Sequence, residues 1–427
     1  MRILRLNSVS GPTGGVETYI DNTDKALSEL GHFTKTITLT TEKELSATPQ
    51  NVSVRITSSS LGRVFHDILT SNDLINRLNL EYRKFHPDLI HLHHFRIGFK
   101  TVYKFLTSVD TPAVFTAHDA LAVCPLSTLV KPGDVICEGG VSLRCGFTGC
   151  KIHSHLPYEL MLSRSFKKLS ESKIKAFICP SYSIMNYLIS NGFDPSVHLP
   201  SFSYFNPNVK SSEPRYDDIL LNKNIGFIGR LEWYKGIDDL IKGFSIFSRT
   251  HPEFTLQIAG SGPFREVLKS LVYNLNLEKK VIFMGTIGKE QREEFYRSLF
   301  CNVVPSKYWE NFALSAQESL LRGVPTIGTR IGGIPEIIQD GITGFTVPIS
   351  SPEQIAKKLE DILQNKNNKI VELMKNGRSF ILNNLTPEKH ISGLLDIYKK
   401  VLNNERIPNG FDENKLEKRI SDTRNAE

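Results

Sequence analysis

Apolar positions in this chain fall into short runs, separated by stretches where apolar residues recur every three or four positions. Ile3 to Leu6, Lys35 to Leu39, Val52 to Ile56, Leu89 to His93 and Ala113 to Ala117 are of strand length, with helical patterns between several of them. Pro87-Asp88 supplies a turn before the fourth. A second series follows at Ile225 to Gly229, Thr255 to Gly260, Lys280 to Gly285, Asn302 to Pro305 and Thr326 to Thr329. After its first member, Ile237, Leu240, Ile241, Phe244 and Phe247 keep one helical face. Strands alternating with helices predict an α/β fold of parallel sheets and crossover helices. Residues 203–222 interrupt the pattern with a turn-rich segment containing Pro207 and Pro214, which marks a domain boundary. The reading is therefore a first Rossmann-like domain at 1–205 and a second at 206–387. A terminal helix is expected at 388–404, with Ile391, Leu394, Leu395, Tyr398, Val401 and Leu402 on one face. The charge-dense tail 405–427 is expected to be disordered.

Residues 302–338, NVVPSKYWENFALSAQESLLRGVPTIGTRIGGIPEII, carry the densest chemistry. The pattern is strand, loop, helix, strand, loop, helix, and ligands of parallel sheets collect beyond the carboxyl ends of the strands. A helix starting near Asn311 to Leu314 would present its first amides and its dipole to an anion such as a phosphate. Glu318 would lie about one turn in, on the same face as Leu314 and Ser315, with Glu310 outside the helix on the far side. Two hydroxyl acceptors flanking a phosphate site suggest a nucleoside diphosphate sugar. Solvated carboxylates on a packing helix are the plainer alternative.

Length and charge narrow the choice. At 427 residues the chain exceeds one ordinary core, in keeping with two domains. The net charge of +7 is a modest excess that favours anionic ligands or an anionic membrane surface. The basic stretch 158–175, YELMLSRSFKKLSESKIK, is read as a solvated helix face, with peripheral contact to anionic lipid as the alternative. Without a dense basic run interleaved with aromatics, nucleic acid is not expected as a partner. No apolar run reaches 18 residues, and MRILRLN is too short for a signal peptide, so the expected location is cytoplasmic, with the inner face of the plasma membrane as a possible peripheral site.

Further candidates sit at strand ends. Gly14 and Gly15 open a helix after the first strand, either as a plain turn or as a bare approach for a phosphate. G-x-G-x-x-G is absent there, which argues against NAD. His118-Asp119 follows the strand AVFTA, and His91, His93 and His94 are read as core or rim. In the second half Arg230 and Lys235 stand before the helix at Ile237, suited to neutralise a departing diphosphate. No D-x-D pair suggests a metal, and Asp217-Asp218 and Asp238-Asp239 read as linker and helix-start residues. Cys124, Cys137, Cys145 and Cys150, followed by His153 and His155, lack the close pairs of strong zinc motifs. Reduced thiols in an ordered insertion near 124–155 are favoured over a zinc site, and no cofactor is expected.

ENFALSAQESLLRGVPTIG with GGIPEII resembles the donor-site signature of the retaining family-4 glycosyltransferases of GT-B fold, in which two Rossmann-like domains face each other across a cleft. Asn311 and Ala313 stand where the family usually has glycine, and Ser319 where it usually has alanine. The resemblance extends to about residue 400. It implies that Gly14 and Gly15 lie under the donor diphosphate and that His118 positions the transferred sugar. It also implies that Arg230 and Lys235 bind the diphosphate without a metal and that Gly260 and Gly285 lie near the base. Asn311, Phe312, Ala313, Leu314 and Ser315 would form the phosphate-binding helix start, Glu318 would hold the ribose and Glu310 the sugar hydroxyls. The implied partners are a nucleotide-sugar donor and a lipid-linked or saccharide acceptor, in surface polysaccharide or glycolipid synthesis. A nucleotide-sugar epimerase, a phosphorylase or an inactive binding protein of the same fold are the alternatives.

Overall fold

The strand β1 (Arg2–Val9) lies inside the first of two parallel sheets, with a neighbouring strand on each side. The computed structural model describes residues 1–9, 15–40, 51–55, 72–94, 98–124, 126–131, 135–137, 140–147, 150, 156–194, 196–202, 213–364 and 368–407. In the first half β1 is followed by α1 (Gly15–Glu29), β2 (Phe33–Thr40), β3 (Asn51–Arg55), α2 (Asn72–Phe85), β4 (Leu89–Leu92), α3 (Phe99–Ser108) and β5 (Ala113–Thr116). A short hairpin, β6 (Val130–Lys131) and β7 (Val135–Ile136), precedes α4 (Leu156–Ser172), β8 (Ile174–Cys179), α5 (Tyr182–Ser190) and β9 (Ser196–His198). The seven-stranded sheet has the order β3-β2-β1-β4-β5-β8-β9. β4 and β5 are buried at every position, because helices cover both faces of a parallel sheet and leave no solvent side.

The second half repeats the plan. It runs α6 (Tyr216–Leu221), β10 (Asn224–Ile228), α7 (Ile237–Phe247), β11 (Thr255–Ala259), α8 (Arg265–Asn274), β12 (Val281–Gly285), α9 (Lys289–Ser298) and β13 (Leu299–Val304). Then come α10 (Leu314–Leu321), β14 (Thr326–Thr329), α11 (Ile334–Ile337), β15 (Phe345–Val347), α12 (Pro352–Gln364), α13 (Asn368–Asn384) and α14 (Pro387–Leu402). The sheet order is β12-β11-β10-β13-β14-β15. In both sheets the order reverses beside the first strand, which opens a crevice at the carboxyl ends of β1 and β10. β13 starts at Leu299, three residues before the expected Asn302, because α9 ends directly against it. It stops before Pro305, which has no N–H for the ladder.

The last helix leaves the second sheet and lies on the first. Thr386 caps it by accepting the Lys389 N–H, and Pro387 occupies its first turn. Ile391, Leu394, Ile397, Tyr398 and Val401 pack with Ile3, Leu89, Val114, Ala176 and Ile178. Leu395 and Leu402, expected on the buried face, are only partly covered, while His390 and Ile397 take buried places. Among the described residues no helix is long and apolar enough to cross a membrane.

Candidate active site

On the second domain the loops after β10, β11 and β13 meet. A Cβ on Gly236, whose φ is +67°, would stand 1.9 Å from the Pro305 carbonyl oxygen. Glycine there lets the Lys235 loop press against the end of β13. Gly260, at φ +134°, is required for the same reason, since a Cβ would lie 1.8 Å from the Gly229 carbonyl oxygen. That explains Gly260 by the close approach of two strand-end loops, and the Gly260 N–H donates to the Gly285 carbonyl at 2.7 Å.

Lys235 and Glu310 form one unit. Lys235 Nζ donates to Glu310 Oε2 at 2.8 Å and to the Tyr308 hydroxyl at 3.0 Å. Ser306 Oγ donates to Glu310 Oε2 at 2.9 Å and Tyr308 to Oε1 at 2.8 Å. Burial alone would raise the Glu310 carboxyl, but Lys235 and these hydroxyls outweigh it and hold it below the ordinary range. Sequence reading gave Lys235 to the diphosphate and Glu310 to the sugar hydroxyls, and the structure also makes the two direct partners. Arg230 stands apart, with its side chain 65% exposed and paired with Glu232 at 2.9 Å. Asp238 and Asp239 hold Lys307 at 2.9 and 3.0 Å.

α10 begins after Ala313 with no side-chain cap, so its first amides make no hydrogen bond to a capping side chain. Glu318, one turn in, accepts from Arg292 Nη1 and from the Tyr296 hydroxyl, each at 3.0 Å. Tyr296 also donates to the Ser315 carbonyl at 3.3 Å. Phe312 is partly buried, and Ala313 is buried, against Ile331 and Ile334. Sequence reading missed Arg292 and Tyr296, whose four-residue spacing puts both on one face of α9.

The first domain supplies the facing wall. A Cβ on Gly15 would lie 3.8 Å from Leu314 Cδ1, so the start of α1 looks onto the start of α10. Gly14 falls outside the described residues. His118 Nε2 is 2.9 Å from His93 Nδ1, and the ring lies edge-on to Tyr19 with centroids 5.0 Å apart. Burial, with the neighbouring His94, pushes the His118 pKa down to about 3. Burial also works against protonation of His94, but Asp119, 3.2 Å away, raises it overall. His91 and His93 are fully buried, as the reading of core or rim anticipated. Asn311 reaches the first domain, donating from Nδ2 to the Ala117 carbonyl at 2.6 Å and accepting from Ser181 at 3.2 Å.

Cys124, Cys137, Cys145 and Cys150 are half-buried and form no disulfide among the described residues. Among the described residues no group of three or more His, Cys, Asp or Glu is placed to hold a metal, and His153 and His155 lie outside them.

Two Rossmann-like halves with strand-end loops in apposition define a GT-B glycosyltransferase scaffold. Residues 13–199 match the family described as Glycosyltransferase Family 4, and residues 221–380 match Glycosyl transferases group 1. The chain belongs to the family-4 glycosyltransferases of GT-B fold. It is 32% identical over 198 residues to an uncharacterized glycosyltransferase of Methanocaldococcus jannaschii, covering 46% of this chain and 49% of that one. It is 27% identical over 207 residues to the N-acetyl-alpha-D-glucosaminyl L-malate synthase of Bacillus anthracis, covering 48% and 52%. The chain thus spans about half the length of these two curated relatives. In fold it is similar to the sucrose-phosphate synthase of Thermosynechococcus elongatus, with TM-score 0.72 and 19% identity over 95% of this chain and 100% of that one. The Anabaena protein HepE, solved with UDP, gives 0.70 and 16% over 94% and 100%.

Proposed function

We propose that this chain moves a sugar from a nucleotide-sugar donor to a lipid-linked or saccharide acceptor, with retention at the anomeric carbon. The observation that carries the reading is the meeting of the α10 start, the Lys235–Glu310 pair and the His118 cluster at facing strand ends of two domains. The bond from the anomeric carbon to the diphosphate oxygen breaks as the acceptor hydroxyl attacks on the same face, and the hydroxyl proton passes to the leaving phosphate. The backbone amides of residues 312–315, leading into and opening α10, with Arg230 and Lys235, stabilise that leaving group without a metal. Glu318 holds the ribose, set in place by Arg292 and Tyr296. Glu310 orients sugar hydroxyls while fixing Lys235. A histidine kept neutral suits His118 for positioning the sugar rather than for taking a proton. Gly14 and Gly15 give the diphosphate room, and Gly260 and Gly285 border the base. The domains on this reading are 1–205 and 206–387, with 388–404 crossing back. The setting is surface polysaccharide or glycolipid synthesis in the cytoplasm, with peripheral contact to anionic lipid.

The reading is tested by incubating the protein with a panel of nucleotide sugars and with lipid-linked and free saccharide acceptors, and reading the new linkage by NMR. A product whose anomeric configuration matches the donor is expected. Inversion would remove the retaining mechanism, and no turnover across the panel would remove the transferase reading.

A further inference from the structure

We propose that Asn311 and Glu336 are positioning residues that clamp the donor loop and the second domain against the first, and so set the cleft in its transferring form. The proposal rests on the transferase reading for its catalytic consequence, while the clamp itself rests on contacts.

Asn311 lies in the loop between β13 and α10, and its amide is used at both ends by the other domain. Nδ2 donates to the Ala117 carbonyl, one residue before His118, and Oδ1 accepts from Ser181 Oγ. Ser181 is the N-cap of α5, where its Oγ also accepts the Ile184 N–H at 3.2 Å. A glycine, usual in the family pattern at 311, offers neither group. The side chain is therefore a feature of this chain that ties the donor loop to the strand end bearing His118.

Glu336, on α11 of the second domain, caps the same helix from across the interface. Oε2 accepts the Tyr182 N–H at 2.9 Å and Oε1 the Ser183 N–H at 2.8 Å. These are amides of the first turn, where the helix dipole favours a carboxylate. Tyr182 stacks on His198 with ring centroids 3.7 Å apart, which steadies the capped turn. Gly333 makes room for the meeting, since a Cβ there would stand 2.9 Å from Ser181 Cβ and 2.2 Å from the Asn311 carbonyl oxygen.

The loop is held on both sides of Glu310. The Trp309 N–H donates to the Thr128 carbonyl of the Cys-rich insertion at 3.0 Å, and Val130 of that insertion packs with Val304 and Ala313. Residues 309 and 311 thus belong to the first domain's contacts, while Glu310 between them faces Lys235. Separating the domains pulls on the loop at both neighbours of Glu310, so closure and the placing of the Lys235–Glu310 pair are coupled. Nucleotide binding to the second domain alone needs none of these contacts.

The test uses the full chain with Asn311→Gly and Glu336→Gln, the latter keeping the shape of the side chain. Small-angle scattering of the ligand-free protein reads the domain separation, calorimetry with UDP reads the nucleotide site, and transfer assays give kcat/KM. The expected result is a larger radius of gyration in each variant, kcat/KM lower by about tenfold, and UDP affinity within twofold of the parent, which also shows that the second domain is folded. Scattering and kcat/KM both unchanged would overturn the clamp. Loss of UDP binding in step with transfer would overturn it too, by making Asn311 a donor contact. A parent protein that transfers no sugar while its variants still open would keep the clamp and remove the transferase reading.

Discussion

At Glu310 a carboxylate, a lysine and two hydroxyls settle each other's positions, and this sets what single changes should do. Lys235→Ala removes the only cation bonded to Glu310 among the described contacts. We expect turnover to fall on the order of a hundredfold, the scale for losing one donor to a developing oxyanion. Stability should fall by about 3 kcal/mol, because a buried carboxylate is left without its countercharge. Urea unfolding checks the second effect, and adding Glu310→Gln should restore stability without restoring turnover. Glu318→Ala should raise the donor KM strongly while leaving the fold intact, and an unchanged KM would take away its ribose role. Arg292→Ala should reproduce part of that rise, since Arg292 bonds Glu318 directly. Glu310 and Glu318 stand out as candidates in the sequence because their spacing about a helix start has a local meaning. Arg292 and Tyr296 were not, because on α9 they read as ordinary positions of an amphipathic helix until that helix is laid beside α10.

Among the elements, α14 shows how a readable pattern can leave its destination open. Its periodicity announces a helix with one apolar stripe, and that local fact survives in Ile391, Leu394, Tyr398 and Val401, all buried. Which sheet it covers is decided by surface left bare elsewhere, here the face of the first sheet formed by Ile3, Leu89, Val114 and Ile178. Leu394→Ala should therefore cost about 2–5 kcal/mol through an unfilled cavity. Tyr398 adds a polar anchor, its hydroxyl 2.6 Å from His91 Nδ1. Tyr398→Phe should cost about 1–3 kcal/mol by stranding a buried nitrogen, and differential scanning calorimetry of the two variants checks both.

On the scale of the whole molecule, the buried histidines give the fold a common acid limit. Burial lowers His91 and His93 well below their usual range and brings His390 to about 4. The unfolded chain takes up these protons near pH 6.5, before the folded one can. Stability is then complete above pH 6.5 and is lost as pH falls toward 4, by about 1.4 kcal/mol per pH unit for each such histidine. His94 opposes the trend, since its partner Asp119 raises it overall against the effect of burial. The urea midpoint should be level above pH 7 and drop steeply between pH 6.5 and 4, and a midpoint level across that window would show that these histidines are not buried neutral. Hydrophobic runs, turn residues and the glycines at strand ends act over a few neighbours, so the sequence by itself determined the strands, the helices and the two-domain plan. The pairing of Lys235 with Glu310, the turning of Asn311 toward Ala117 and the capping of α5 by Glu336 join residues 75, 194 and 153–154 positions apart. Only the tertiary structure decided them, because hydrogen bonding and charge pairing act on distance in space and leave no period along the chain.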